Sequence, residues 1–469
     1  MWRRTWTLIF LAGIACLSAC RRDPGVAWRG MNVIWISFDS VRADHCSFEG
    51  YSRTTTPNLD RLAARGVRFS RCIAQAPYTL PSYASMLTSR YVAQLAVRET
   101  KDAKDPAKIL GTAPSPSPED ALVSEALHGA GYRTAAFVQS WISQPFGFDK
   151  GWDLFRFQQE TLGQKMPHVV KWLEENRQKK FFLFLYSTDP HYPYLHFRDR
   201  RNIYGKFPSD FEVSLDTIQG VRDGKLHPSS DDIANAVAMY DEGIHDTDAD
   251  LEPLFSYLDR TGLSEKTIVV FNSDHGEEFD EHGVISHGQT YYDAVVRPPL
   301  VIAAPHLARP GRQSLELVQN IDVAPTVLDL VGVERPRGWS GRSLKPLIAG
   351  GETVSASQRS AFCEGAWTFW IGSVIQGDRK FVLVTPQERM LFDEARDPGE
   401  KSNLAGSDPD GVRTLYHALM RHLGGPGNWI AASGSAPSYD TWMKQVMTHY
   451  GLGEQSEVVK ELKALGYLH

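Results

Sequence analysis

Short, unbroken apolar runs recur along this chain: Val33–Phe38, Thr134–Val138, Phe181–Tyr186, Thr267–Phe271 and Leu300–Ala303. Each is too brief for a core helix and too apolar for a half-exposed strand. Such runs are strands buried on both faces, the form taken in parallel sheets covered by helices. Amphipathic stretches alternate with them. Leu59–Gly66 has helix start signals in Thr56 and Pro57 and a stop in Gly66. Ile233, Val237, Tyr240, Ile244, Leu251, Leu254, Phe255 and Leu258 recur at helical spacing and predict one long helix. Val318–Val331 predicts another. The alternation predicts an α/β fold, a mostly parallel doubly wound sheet flanked by helices. Around Gly338–Gly351 the pattern breaks into Gly, Pro and Ser. A smaller C-terminal α+β subdomain follows, with antiparallel strands at Trp367–Gln376 and Lys380–Val384 about a Gly377-Asp378 turn, then Met390–Phe392. The expected organisation is a leader over 1–20, a tether over 21–30, the α/β domain over 31–345, the antiparallel-sheet subdomain over 346–430 and a tail over 431–469. The Pro/Ser run Thr112–Pro118 reads as a surface loop.

Composition removes several classes. Of 469 residues 42% are hydrophobic and 23% charged, so disorder and coiled coil are excluded as the main architecture. A net charge of −6 offers no basic field for nucleic acid. Beyond the N-terminus no apolar run reaches the about 18 residues of a membrane span. Five cysteines are too few for a disulfide scaffold in a chain this long. At the start, Arg3 and Arg4 precede the apolar stretch Trp6–Leu17 and the ending Leu17-Ser18-Ala19-Cys20. A basic segment before a short apolar one is an export signal. The ending resembles a bacterial lipobox, which implies cleavage before Cys20 and lipidation of its thiol. The expectation is an exported lipoprotein of the cell envelope that meets the membrane through its anchor only, with Arg21 favouring the outer membrane. Cys16 leaves with the signal. Whether two of Cys46, Cys72 and Cys363 form a disulfide stays open.

Open parallel sheets bind ligands beyond the carboxyl ends of their strands. Three of the runs end in residues able to hold metals or move protons: Asp39-Ser40, Ser187-Thr188-Asp189-Pro190-His191 and Asn272-Ser273-Asp274-His275-Gly276. Any one alone reads as a strand-end cap or turn. Three on one sheet edge read as a site. A fourth piece is Tyr78-Thr79-Leu80-Pro81, where Pro81 suits a helix's first turn and Thr79 would stand at its N-terminus, either as an N-cap or facing an anion.

These residues carry a resemblance. Val33 through Asp39-Ser40-Val41-Arg42-Ala43-Asp44-His45, with Thr56-Pro57-Asn58-Leu59-Asp60, resembles the opening of the sulfatase family in the alkaline-phosphatase-like superfamily. Asp189-Pro190-His191-Tyr192-Pro193-Tyr194, Ser273-Asp274-His275-Gly276-Glu277-Glu278, His287-Gly288 with Tyr292-Asp293, and Leu391-Phe392-Asp393 with Asp397-Pro398-Gly399-Glu400 resemble its later blocks, in order. The closing Leu462-Lys463-Ala464-Leu465-Gly466-Tyr467 is similar to tails of bacterial members. Several positions depart from the pattern. Thr79 and Tyr83 stand where the family places the formylglycine precursor and an arginine. Ser40 replaces a second aspartate, and Val92-Ala93-Gln94-Leu95-Ala96-Val97 replaces Pro-x-x-His-Gly-Val. His275 replaces the Asn of calcium-dependent members. Threonine cannot become the aldehyde. The set resembles a threonine branch, that of phosphoethanolamine transferases and lipoteichoic acid synthases.

Carried over by position, the resemblance implies that Asp39, Thr79, Asp274 and His275 hold one divalent metal. Three oxygens and one imidazole nitrogen favour zinc or manganese over calcium or magnesium. Thr79 would be the nucleophile, with His191 and His287 gripping the transferred group or protonating the leaving group. His282 is a weaker candidate close to that group, whereas Asn272 and Asp293 read as structural. The expected activity is metal-dependent hydrolysis of a sulfate or phosphate ester, on a sulfated or phosphorylated glycan, lipid or small molecule, by two in-line displacements. The alternatives are a phosphoryl-group transferase acting on envelope lipid or glycan, and a catalytically silent binding lipoprotein.

Overall fold

The computed structural model describes residues 30–423 except 100–114, 195–201, 206–209, 307–309, 352–358, 366–370 and 386, together with residues 453, 456, 459 and 460. The expected lipidation site Cys20, the leader and most of the tether, and the closing Leu462–Tyr467 motif lie outside the described residues.

In chain order the strands are β1 (Asn32–Phe38), β2 (Val67–Phe69), β3 (Cys72–Ile73), β4 (Arg133–Val138), β5 (Leu154–Phe157), β6 (Phe181–Ser187), β7 (Thr267–Ser273), β8 (Glu278–Phe279), β9 (Ile285–Ser286), β10 (Leu300–Ala303), β11 (Arg312–Ser314), β12 (Val318–Gln319), β13 (Ser360–Glu364), β14 (Gly372–Gln376), β15 (Arg379–Leu383) and β16 (Arg389–Asp393). Eight of them form the main sheet in the order β11-β2-β10-β7-β1-β6-β4-β5. β1 lies parallel to both β6 and β7. Only β10 runs against its neighbours, so the sheet is mostly parallel as the apolar runs predict. Every residue of β1, β6 and β7 is buried. Their side chains alternate between two cores. Val33 and Trp35 enter one, and Ile34, Ile36 and Phe38 enter the other. β13 to β16 form the separate antiparallel sheet of the C-terminal unit, closed by the Pro409–His422 helix.

Three readings are corrected. The predicted helix over 233–258 is two helices, Ser230–Ala249 and Glu252–Thr261. Pro253 sits in the first turn of the second, where its missing N–H costs nothing, and that restarts the helix. Only Val323–Val331 of the run from Val318 is α-helical, because Val318 and Gln319 pair with Cys72 and Ile73 as a strand. The segment from Ser115 is a loop as expected, but its surface placement fails at Ser115 and Pro116, which are buried, with the Pro116 carbonyl packed against Gly147. Thr112–Pro114 and Trp367–Trp370 lie outside the described residues, and the strand expected from Trp367 is seen from Gly372. Cys46, Cys72 and Cys363 are buried free thiols, which closes the disulfide question.

Candidate active site and metal centre

Sheet register assembles the site. Phe38, the last residue of β1, stands opposite Ser187 of β6 and Ser273 of β7. The residues that follow, Asp39, Thr188 and Asp274, therefore emerge side by side at the carboxyl edge. Ser40 turns the chain there with a φ of +59°, an uncommon conformation for a residue with a Cβ. The turn lets its N–H donate to Asp274 Oδ1 at 3.2 Å and its hydroxyl donate to Asp39 Oδ1 at 2.7 Å. After Asp274 the backbone of Gly276 and Glu277 donates to the carbonyls of Val295 and Ala294. A Cβ on Gly276 would lie 2.1 Å from the Ala294 carbonyl oxygen, so this close approach requires glycine.

The predicted residues converge. Asp39, Thr79, His191, Asp274, His275 and His287 are all at most 2% exposed. Thr79 is the first residue of the Thr79–Thr88 helix, one position inside its N-cap Tyr78, so it is not an N-cap threonine. Its Oγ1 lies 3.4 Å from His275 Nε2. That nitrogen is 3.2 Å from Asp274 Oδ2 and 3.7 Å from Asp39 Oδ1. The rings of His275 and His287 are 4.3 Å apart, and those of His287 and His191 are 5.0 Å apart.

One ligand atom from each of Asp39, Asp274 and His275 fits within 4.8 Å of the others, a spacing able to hold a metal ion. The bonding supports the fit. His275 Nδ1 lies 2.9 Å from the Gly276 carbonyl, which only an N–H can satisfy, so Nε2 presents its lone pair. A carbonyl-anchored imidazole of this kind is how metal-ligating histidines are oriented. Asp274 Oδ2, facing that lone pair, is buried and accepts no hydrogen bond. Two electron-rich atoms at 3.2 Å call for a metal ion or, in its place, a proton between them. Among the described residues no lysine or arginine pairs with either carboxylate.

Burial dominates the site's electrostatics. It lowers His191 and His287 to about 4 against the pull of Asp39, and with the neighbouring His287 it lowers His275 to about 3. The imidazoles are therefore neutral at neutral pH. Burial and the charge of Asp39 push Asp274 well above the carboxylate range. Asp39 stays below that range because His191, His275 and a hydrogen bond from Tyr186 outweigh its own burial.

Two partners escaped sequence reasoning. Glu277 is fully buried, and its carboxyl oxygens lie 3.2 and 3.3 Å from His287 Nδ1. Burial raises it to about 8 against the attraction of His191. Its place directly after Asp274-His275-Gly276 was the available signal. Tyr186 donates its phenol to Asp39 Oδ2. The sign of it was a polar-tipped aromatic ending the Phe182, Phe184, Tyr186 face of β6. His282 is not at this site, since its Nδ1 meets Glu278 at 2.9 Å and its Nε2 the Gly399 carbonyl at 3.1 Å. Asn272 is structural, accepting from Trp35 Nε1 at 2.8 Å, and Asp293 pairs with Lys380.

Comparison with known proteins places this geometry. The sulfatase family model matches residues 31–333. The N-acetylglucosamine-6-O-sulfatase of Bacteroides thetaiotaomicron is 24% identical over 446 residues, covering 76% of this chain and 77% of that one. The multifunctional alkaline phosphatase superfamily protein PehA of Trinickia caryophylli is 26% identical, covering 83% of this chain and 93% of its own. The crystal structure of the phosphonate monoester hydrolase of Agrobacterium radiobacter shares the fold with a TM-score of 0.67 at 20% identity, over 84% of this chain and 95% of that one. With a family model that spans both strand ends and the Thr79 helix, the chain belongs to the sulfatase family of the alkaline-phosphatase-like superfamily and is a sulfatase-like hydrolase.

Proposed function

We propose that this chain hydrolyses anionic esters with Thr79 as nucleophile, in place of formylglycine. The observation that carries the reading is the Thr79 hydroxyl at a helix N-terminus, 3.4 Å from His275 Nε2 and among buried carboxylates without a cation of their own. A divalent ion held by Asp39, Asp274 and His275, with zinc or manganese favoured by the donors, would supply Lewis-acid polarisation and lower the pKa of a hydroxyl beside it.

The chain's own groups account for the rest. Thr79 Oγ1 attacks sulfur or phosphorus in line with the departing alcohol. Its proton passes to a neutral imidazole, and a Thr79 ester forms as the ester bond breaks. The alcohol leaves with a proton from His287 or His191. Water then cleaves the Thr79 ester and restores the hydroxyl. His191 Nδ1 is 2.6 Å from the Tyr192 carbonyl, which fixes its proton there and leaves Nε2 to accept. The Glu277–His287 pair holds a proton that either partner can carry, which suits a group that acts first as acid and then as base. The first-turn N–H groups of the Thr79–Thr88 helix favour the anionic oxygens of the transferred group.

Relatives supply the substrate panel, namely 6-O-sulfated N-acetylglucosamine and phosphonate monoesters, with phosphate mono- and diesters beside them. The hydrolase names among relatives favour hydrolysis over group transfer or silent binding. Export and anchoring through Cys20 in the cell envelope are part of the same proposal, supported by the Leu17-Ser18-Ala19-Cys20 ending. Turnover of the panel by zinc- or manganese-loaded wild type and Thr79→Ala is the test. The variant should lose about 10⁴-fold or more, as when a covalent nucleophile is deleted. Mass spectrometry of quenched wild type should find the transferred group on the Thr79 peptide. Near-wild-type turnover by Thr79→Ala would refute the nucleophile.

A further inference from the structure

We infer that Tyr186 is the positioning residue that presents Asp39 to the metal centre, a role resting on the metal reading above. A carboxylate has about four lone-pair positions to distribute. Ser40 Oγ takes one on Asp39 Oδ1 at 2.7 Å, and the Tyr186 phenol takes one on Oδ2. With Oδ2 committed to the phenol, Oδ1 is the oxygen turned toward His275 Nε2, 3.7 Å away. The carboxylate is thereby held to one orientation by two neutral hydroxyls.

The phenol is itself immobilised. Tyr186 is fully buried, and its ring meets Tyr83 edge-on with centroids 4.9 Å apart. The Tyr83 hydroxyl lies 2.7 Å from Ser37 Oγ, and Ser37 is the register partner of Tyr186. Behind it, the buried Lys165 ammonium donates to the Tyr186 carbonyl at 2.6 Å. Tyr83 and Ser40 are two of the positions at which this chain departs from the sulfatase pattern, where an arginine and a second aspartate are usual. Here the space around Asp39 is filled by hydroxyls and aromatic rings instead of a charge pair. Tyr83 braces the phenol and touches neither Asp39 oxygen through a hydrogen bond. The two tyrosines therefore make different predictions.

The test is zinc and manganese affinity of the full chain, measured by competition with a chelating dye, with thermal melting in excess chelator alongside. Tyr186→Phe should weaken affinity about 10–100-fold, as for loss of a hydrogen bond that orients a metal ligand. Its chelated form should melt like wild type, and Tyr83→Phe should keep wild-type affinity. Wild-type affinity in Tyr186→Phe overturns the inference while leaving the metal reading intact. An equal loss in Tyr83→Phe overturns it as well, because removing a buried hydroxyl that bonds Ser37 and not Asp39 would then have the same effect. Should Tyr186→Phe melt early in chelator, the double variant Asp39→Asn/Tyr186→Phe decides. A role exercised through Asp39 gives the double variant the affinity of Asp39→Asn alone, and any further loss overturns it. If wild type binds neither ion, or Asp274→Asn binds as well as wild type, the metal reading itself fails and this inference with it.

Discussion

At the seam between the main sheet and the C-terminal strands, Lys380 is fully buried, with Nζ 2.7 Å from Asp293 and 2.8 Å from Glu400. At the carboxyl edge of the main sheet, Asp39 and Asp274 are equally buried, and the nearest basic group is the neutral ring of His275. Both are places where water has been removed from carboxylates, which is tolerable only when their charge is answered. The seam answers with a lysine encoded in β15. The carboxyl edge answers its carboxylates with hydroxyls and a lone pair, and leaves Asp274 Oδ2 without a hydrogen bond. A buried acidic pair that carries its own cation is a fastening. One that lacks a cation is a receptacle.

The largest effect expected on folding comes from breaking the fastening. Lys380→Met removes the cation and leaves Glu400, 4% exposed, without its ion pair. Asp293 keeps Arg297 at 3.3 Å, so about 3 kcal/mol of stability should be lost, the low end for stripping one partner from a buried pair. Urea unfolding reads this directly. Metal content and turnover of the folded fraction should not change, and a fall in metal content would mean the two clusters are coupled.

The receptacle should behave oppositely in the metal-free protein. Asp274 has a folded pKa raised by burial and by Asp39, so the folded state keeps a proton that the unfolded chain gives up above about 4. Stability is therefore lost as pH rises from 4, and Asp274→Asn removes that loss. In chelator at pH 8 the variant should be more stable than wild type by about 2 kcal/mol, the scale of an unanswered buried polar group. The gain should vanish near pH 4. With metal present the order should reverse, because the variant forfeits a ligand. Greater stability of chelated wild type at pH 8 would show that Asp274 is already answered within the chain.

The contrast also explains what could be read before the fold was known. β1, β6 and β7 announce themselves because burial on both faces leaves no polar alternation, and the short polar segments that carry Asp39, Asp189 and Asp274 end the apolar runs abruptly. His191 and His275 were recognisable because they sit in motifs at those ends, and Thr79 and His287 because they sit in further blocks of the same ordered pattern, at a helix start and after β9. β2, β3, β11 and β12 have two or three residues each, and pairing with a distant strand decides them, as Val318 with Cys72 shows. Tyr186 and Glu277 were missed for a related reason. Their roles depend on contacts across 147 and 10 residues, and neither stands out by type within its run.

The smallest effect concerns His282, which the motif Glu281-His282-Gly283 placed near the receptacle and the structure places beside the fastening. Its ring lies flat on Tyr292 at 3.5 Å, its Nδ1 meets buried Glu278 and its Nε2 meets the carbonyl of Gly399, the residue before Glu400. His282→Gln keeps an amide able to donate to Glu278, which also retains the Thr290 hydroxyl. What is lost is mainly the stacked ring, worth about 0.5–1 kcal/mol. Metal affinity, set by Asp39, Asp274 and His275, should be unaltered. A chelator titration that finds weaker binding in His282→Gln would return this histidine to the centre and blur the division between the two clusters. An unchanged titration with slightly earlier unfolding assigns it to the seam, where Gly399 and Glu400 bring the C-terminal unit against His282 and Asp293.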